Sequence, residues 1–210
     1  MTFADRQDAG RQLARHLANQ RVSADLVLGL PRGGVIVAAE VARELGLPLA
    51  ALVVRKIGHP RHREFAVGAM AGDGTVILRE DVLQRTWADR ADLDLVIEEE
   101  KASLAGYQRK FRGVTAAELR GKSVLIVDDG LATGATAEAA ALAAKHLGAT
   151  RIVIAVPVAS DNAAALLSKS ADAVAALEVD PAFEAVGHYY RSFEQATDEE
   201  VVRLLDETRI

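Results

Sequence analysis

The 210-residue chain has no cysteine. That excludes disulfides, thiol nucleophiles and thiolate metal sites, and it fits a cytoplasmic setting. Aromatic residues make up only 4%, so a core has to be built from Ala, Val, Leu and Ile. No uninterrupted apolar run approaches the ~20 residues a membrane helix needs, and no membrane partner is expected. An excess of positive charge is also lacking. The formal net charge of -5 argues against a nucleic-acid-coating protein and leaves room for a local basic pocket that takes a small polyanion. The first twenty residues lack an apolar signal core and carry Asp5 and Asp8 among their arginines. Leu13 and Leu17, one turn apart, predict an amphipathic helix there rather than a targeting peptide. None of His16, His59, His62, His146 and His188 has metal-ligand spacing.

What is present is hydrophobic residues at half the chain, enough for a sizeable core. Short β-branched runs alternate with helical patterns. Strands are expected at 25–30, 50–54, 123–127, 151–156 and 173–177, with helices at 35–45, 88–111, 136–147, 162–168 and 198–205. Residues 65–70 and 75–78 predict a hairpin, with Gly72-Asp73-Gly74 as its turn. Strands alternating with helices imply βαβ units, a mainly parallel sheet and helices on both faces. The α/β chain reads as one domain over 1–210, with a basic loop at 55–64 and a terminal segment at 180–210.

The most informative segment closes the strand 123–127. Asp128-Asp129 is followed by Gly130, Leu131, Ala132, Thr133, Gly134, Ala135 and Thr136, and then by a helix. Small residues let backbone amides approach an anion, and the helix N-terminus favours a phosphate. The two acids cannot bind phosphate, but they can accept hydrogen bonds from a vicinal diol. Together they describe a receptor for ribose 5-phosphate. A plain turn with Thr136 as helix cap would use the same glycines, and the acid doublet in register with the turn favours the receptor. No Gly-Lys-Ser/Thr follows, and the glycine spacing is not that of a dinucleotide fingerprint.

Val124 to Thr136, VLIVDDGLATGAT, resembles the 5-phosphoribosyl 1-diphosphate (PRPP) motif of the type I phosphoribosyltransferases. The resemblance implies that Asp128 and Asp129 hold the ribose hydroxyls. Residues 132–136 would wrap the 5-phosphate, and Mg2+ would enter on PRPP, water-bridged to the two acids and not held by protein alone. Phe3, Asp5-Arg6, Asp8-Ala9-Gly10 and the run Glu64 to Ala69 are similar to a subgroup of predicted phosphoribosyltransferases whose acceptor is unassigned.

Two more segments bear on the same chemistry. Pro31-Arg32-Gly33-Gly34 lies between the first core strand and a helix. It is a second anion cup, with a guanidinium able to grip a diphosphate, and it is similar to the family's pyrophosphate loop. The loop 55–64 resembles in placement the family's mobile loop, with Arg55 and Lys56 nearest the strand end as candidate pyrophosphate ligands; the bland alternative is a solvated charged loop. Glu98-Glu99-Glu100 point in different directions on a helix and are read as solvated.

In the family the acceptor lies under a variable hood made from chain ends. The aromatic-rich stretch 180–193 is the candidate, with Phe183, Val186, Tyr189 and Tyr190 to face a planar acceptor. The other reading is that these rings dock the last helix on the sheet. The expected activity is transfer of phosphoribose from PRPP to a nitrogen acceptor with loss of pyrophosphate, by Asp128, Asp129, Arg32 and Lys56. A non-catalytic PRPP- or nucleotide-binding regulator, or an interaction protein that keeps the fold as a scaffold, would keep the same fold. The resemblance also suggests a homodimer, with the helix 88–111 as interface. No signature in the chain names the acceptor.

Overall fold

Short apolar strands and striped helices bury both kinds of surface when helices cover a sheet on each side. The chain does this in a computed structural model that describes residues 2–86 and 89–208. The core elements are helix α1 (Arg6–Asn19), strand β1 (Leu26–Gly29), helix α2 (Gly33–Leu45), and strand β2 (Leu49–Ala51). An antiparallel excursion follows, with β3 (Arg55–His59), β4 (His62–Met70), β5 (Val76–Leu78), and helices α3 (Glu80–Thr86) and α4 (Arg90–Phe111). The chain returns through the short α5 (Ala116–Leu119) to β6 (Ser123–Val127), α6 (Ala135–His146), β7 (Arg151–Ser160), α7 (Asp161–Leu167) and β8 (Ala173–Asp180). It ends in a 3₁₀ turn at Val186–Tyr189 and helix α8 (Asp198–Glu207).

The main sheet is parallel throughout, in the order β2-β1-β6-β7-β8. Alternation along each strand divides the core in two. Val27, Leu125, Val127 and Val153 join the cluster that holds Leu13, Val35 and Leu204, from α1, α2 and α8. Leu28, Val124, Ile126 and Ile154 join the cluster of Ala140, Ala144 and Leu167, from α6 and α7. Apart from Glu138, the buried positions of α6 are all alanine, which lets that helix lie close to the sheet with few aromatics.

Ala88, the expected start of the long helix, lies outside the described residues, and α4 runs from Arg90. The parallel sheet, its flanking helices and the predicted hairpin (now β4–β5) match expectation. The 55–64 loop does not. Arg55–His59 is a strand paired antiparallel with β4, with register shifts at Ile57/Gly58 and Gly58/His59. The physical reason is a buried strand end hidden among charges. Ile57 is fully buried and His59 nearly so, while Arg55 is taken up by α4: its guanidinium donates to Ser103 Oγ and lies 4.6 Å from the Tyr107 ring centre. A basic strand is stable because α4 supplies its counter-surface.

Candidate functional site

Strand order 2-1-6 places β1 beside β6, with Gly29 opposite Val127. The pairing continues one residue further, as Leu30 N–H donates to Val127 O at 3.0 Å. From there the two chains part. The β1 turn leads into α2 on one face and the β6 turn into α6 on the other. This is a topological switch point, where open parallel sheets form their ligand crevice.

The two turns touch through glycine. A methyl group added at Gly33 would lie 2.2 Å from Asp129 Oδ2, and one at Gly34 would lie 2.8 Å from Asp128 Oδ1. Any side chain there would push the 31–34 turn off the acids. The Pro31–Arg32 peptide is cis. Asp128 Oδ1 accepts from Asp129 N–H at 2.9 Å. Burial, and then the Asp129 charge, hold the Asp128 carboxyl well above the ordinary carboxylate range. Burial also raises Asp129, against the opposing pull of Arg6. Both acids are partly buried, so they line the crevice rather than a solvent-facing strand end.

The loop after the acids is pinned to β7. Leu131 N–H donates to Val158 O at 2.9 Å, Ser160 N–H donates to Leu131 O at 2.9 Å, and Ser160 Oγ donates to Ala132 O at 2.6 Å. Leu131 is buried, so its side chain serves the core and only its backbone borders the loop. Ala132, Thr133 and Thr136 are exposed, whereas Gly134 and Ala135 are buried. Gly134 takes a left-handed conformation (φ 76°) as the N-cap of α6, so the plain-turn alternative with Thr136 as cap is not what forms. Glycine has no side chain to satisfy the first-turn N–H groups. Thr133 Oγ1 accepts from Ala135 N–H at 3.3 Å, and α6 otherwise begins without a side-chain cap, as an anion site requires.

The sequence reading gave Arg6 no site role. Its Nε donates to Asp129 Oδ2 at 2.7 Å, its Nη1 to Glu194 O at 2.6 Å, and its guanidinium caps the Phe193 ring at 3.9 Å. Arg6 enters the crevice because Asp5 caps α1, accepting from Asp8 N–H at 2.7 Å, which sets Arg6 in the helix's first turn. Its only sequence signal was the Asp5-Arg6 pair, which carried a family resemblance and no role.

The segment around Phe3 packs against residues 189–193 beside the crevice. Phe3 N–H donates to Tyr189 O at 2.7 Å, and Arg191 N–H donates back to Phe3 O at 2.9 Å. Tyr190 packs on Phe3 and Phe193, with ring centres at 5.4 and 5.0 Å. Its hydroxyl donates to Asp129 O at 2.6 Å, and burial followed by the Asp129 charge pushes its pKa up. Tyr189 stacks on Phe183 at 5.4 Å, and its hydroxyl bond to Asp180 raises its pKa to about 12. The Tyr189 and Tyr190 rings are thus occupied in packing. They dock the N-terminal segment, where the alternative reading had them dock the last helix. Val186 sits against Gly130, where an added methyl would meet its Cγ1 at 2.7 Å, and Phe193 is partly exposed.

The expected cations divide. Arg55 is committed to α4, with its Nε 3.8 Å from Glu100, so it is not a crevice residue. Lys56 alternates to the other face of β3, in register with Ala69. Arg32 stays at the crevice lip with its Nη1 3.9 Å from Asp198 Oδ1 at the start of α8. Glu98, Glu99 and Glu100 pair separately with Lys101, Arg63 and Arg55, so they form no common site. Among the described residues no cluster of three or more His, Cys, Asp or Glu is placed to hold a metal. A cavity of about 360 Å³ lies elsewhere, between β2, the end of α4 and α8, and contains none of these groups.

The phosphoribosyl transferase domain model matches residues 5–191, a span that includes both turns and Arg6. Two strains of Mycobacterium tuberculosis carry proteins provisionally named phosphoribosyl transferase. They are 47% identical over 205 residues, which is 97% of this chain and 46% of theirs, so the chain spans about half the length of those relatives. The crystal structure of TT1426 from Thermus thermophilus superposes with a TM-score of 0.89, at 44% identity over all of both chains. The crevice, its two turns and this match over most of the length place the chain in the phosphoribosyl transferase domain family.

Proposed function

We propose that the chain transfers the 5-phosphoribosyl group of PRPP to a nitrogen acceptor and releases pyrophosphate. The observation that carries this is the contact between Gly33-Gly34 and Asp128-Asp129 at the switch point. It sets an anion cup directly beside a pair of carboxylates, as a ligand with a diphosphate next to a diol needs. In this reading the uncapped start of α6 takes the 5-phosphate through residues 132–136. Asp128 and Asp129 accept from the ribose hydroxyls, and Pro31 to Gly34 with Lys56 face the diphosphate.

In the reaction the bond from C1 to the diphosphate oxygen breaks, and a bond from C1 to the acceptor nitrogen forms. Positive charge grows on the ribose, next to the two acids, and negative charge grows on the leaving group, beside the cup. The chain's part is positioning and charge complementarity. Two adjacent hard-oxygen acids, sheltered and offset by a single guanidinium, fit a Mg2+ carried in on PRPP, and Asp128 and Asp129 would hold it through water. When bound it would supply charge to the leaving group. Gly130, Val186, Phe183 and Phe193 border the acceptor side, and a planar ring such as a nucleobase is the proposed class. Because residues from Phe3 to Phe193 contribute, one domain is proposed to carry the whole site. Its cysteine-free composition is the ground for proposing a cytoplasmic setting.

One observation favours a non-catalytic PRPP-binding regulator as second reading: Arg55 is turned away from the crevice, and Arg32 shares Asp198 with Lys110. Pyrophosphate release from PRPP and Mg2+ across a panel of nucleobases and other nitrogen acceptors separates the two. Release with any acceptor supports the transferase. PRPP binding with no release across the panel supports the regulator.

A further inference from the structure

We infer that Arg6 is a substrate-binding cation of the PRPP site, one that reaches the diphosphate side from the first turn of α1; this rests on the function proposed above. The guanidinium sits where the two turns meet. A methyl group on Gly33, in the diphosphate turn, would come within 2.7 Å of Arg6 Nε, which itself lies 2.7 Å from Asp129 Oδ2. Arg6 thus touches both halves of the crevice at once. It is only 11% exposed, and it reaches the crevice from an element that neither motif includes.

Its support is rigid on the other side. The Phe193 ring holds the guanidinium face at 3.9 Å, and Glu194 O accepts from Nη1 at 2.6 Å. Neither contact involves Asp129, so a diol that competes for Asp129 does not compete for them. Guanidinium has five N–H donors, and the two acceptors named above engage one at Nε and one at Nη1. The others match phosphate oxygens in the planar, forked geometry that distinguishes arginine from lysine. Arg55 serves α4 and Arg32 also leans to Asp198, so Arg6 would add to the positive charge that faces the diphosphate.

The test compares PRPP with ribose 5-phosphate, both with Mg2+, by calorimetry on the wild-type chain and on Arg6→Gln and Phe193→Leu. The wild type is expected to prefer PRPP. Arg6→Gln should lose about tenfold or more of that preference, a loss on the order of one charge-assisted hydrogen bond, while ribose 5-phosphate binding falls much less. Phe193→Leu, which loosens the guanidinium and leaves its charge, should show the same selective loss at smaller size. An equal loss for both ligands in Arg6→Gln would mean that Arg6 only holds Asp129, and no loss would mean that it is a structural tie. Either result overturns the inference. If Arg6→Gln does not fold, Phe193→Leu decides: unchanged preference overturns the inference. Wild-type protein that binds neither ligand overturns the function itself, which keeps the two failures apart.

Discussion

Arg79, just beyond β5, and Glu138, in the first turn of α6, form a 2.6 Å ion pair. Glu138 is 7% exposed at its side chain and also accepts from Ser170 Oγ at 3.3 Å. The pair fastens the antiparallel sheet to the helix whose start is the candidate phosphate loop, so the excursion from 55 to 78 is held in register with that loop. Arg79 N–H donates to Val67 O at 2.9 Å, which locks β4 to the same anchor.

Removing one partner strands a buried carboxylate. Arg79→Ala is expected to destabilise by roughly 2 kcal/mol, below the ~3–5 of a fully buried pair, because Arg79 is 31% exposed. Arg79→Ala with Glu138→Gln should recover part of that loss. Urea unfolding of the single and double variants checks both. Equal midpoints for Arg79→Ala and wild type would show that the anchor carries no weight.

Asp128 holds its proton more tightly in the folded chain than in the unfolded one, first through burial and then through Asp129. The group therefore favours the fold fully below its unfolded pKa, and that contribution is lost as pH rises from there through the raised folded value. Asp128→Asn keeps the acceptor for Asp129 N–H and deletes the titration. It should melt close to the wild type near pH 4 and above it at pH 8, while PRPP binding is weakened. Thermal melts across that range measure it, and a wild type that gains on the variant as pH rises would contradict it.

The two neighbours at the start of β3 should behave oppositely. Arg55→Ala removes the contacts to Ser103 and Tyr107 and should cost about 1–2 kcal/mol of stability with PRPP affinity unchanged. Lys56→Ala should weaken PRPP about tenfold, the scale of one charge-assisted contact. Paired melts and titrations decide, and a drop in PRPP affinity for Arg55→Ala would return that residue to the site.

The site's core was legible because its signals are local. A strand of four buried aliphatics, Val124 to Val127, runs straight into two acids and a small-residue turn, and its neighbour β1 runs into Gly33-Gly34. The hairpin at 55–64 was not legible, because Ile57 and His59 are buried within a run that looks like a charged loop until α4 stands against it. Arg6 was out of reach for a different reason: its partner Asp129 is 123 positions away, and nothing near residue 6 speaks of a carboxylate. Tyr189 and Tyr190 were read as ligands of a ring, and their local partners, Phe183 and Phe3, already fill that place.

The most direct test of the account is calorimetric titration with PRPP and Mg2+, against ribose 5-phosphate, of the wild type and of the Asp128→Asn, Asp129→Asn double variant. The account predicts wild-type binding that prefers PRPP, and a folded double variant in which binding of both ligands is severely weakened. Wild-type protein that binds neither ligand, or a double variant that binds PRPP as the wild type does, would contradict the assignment of the crevice.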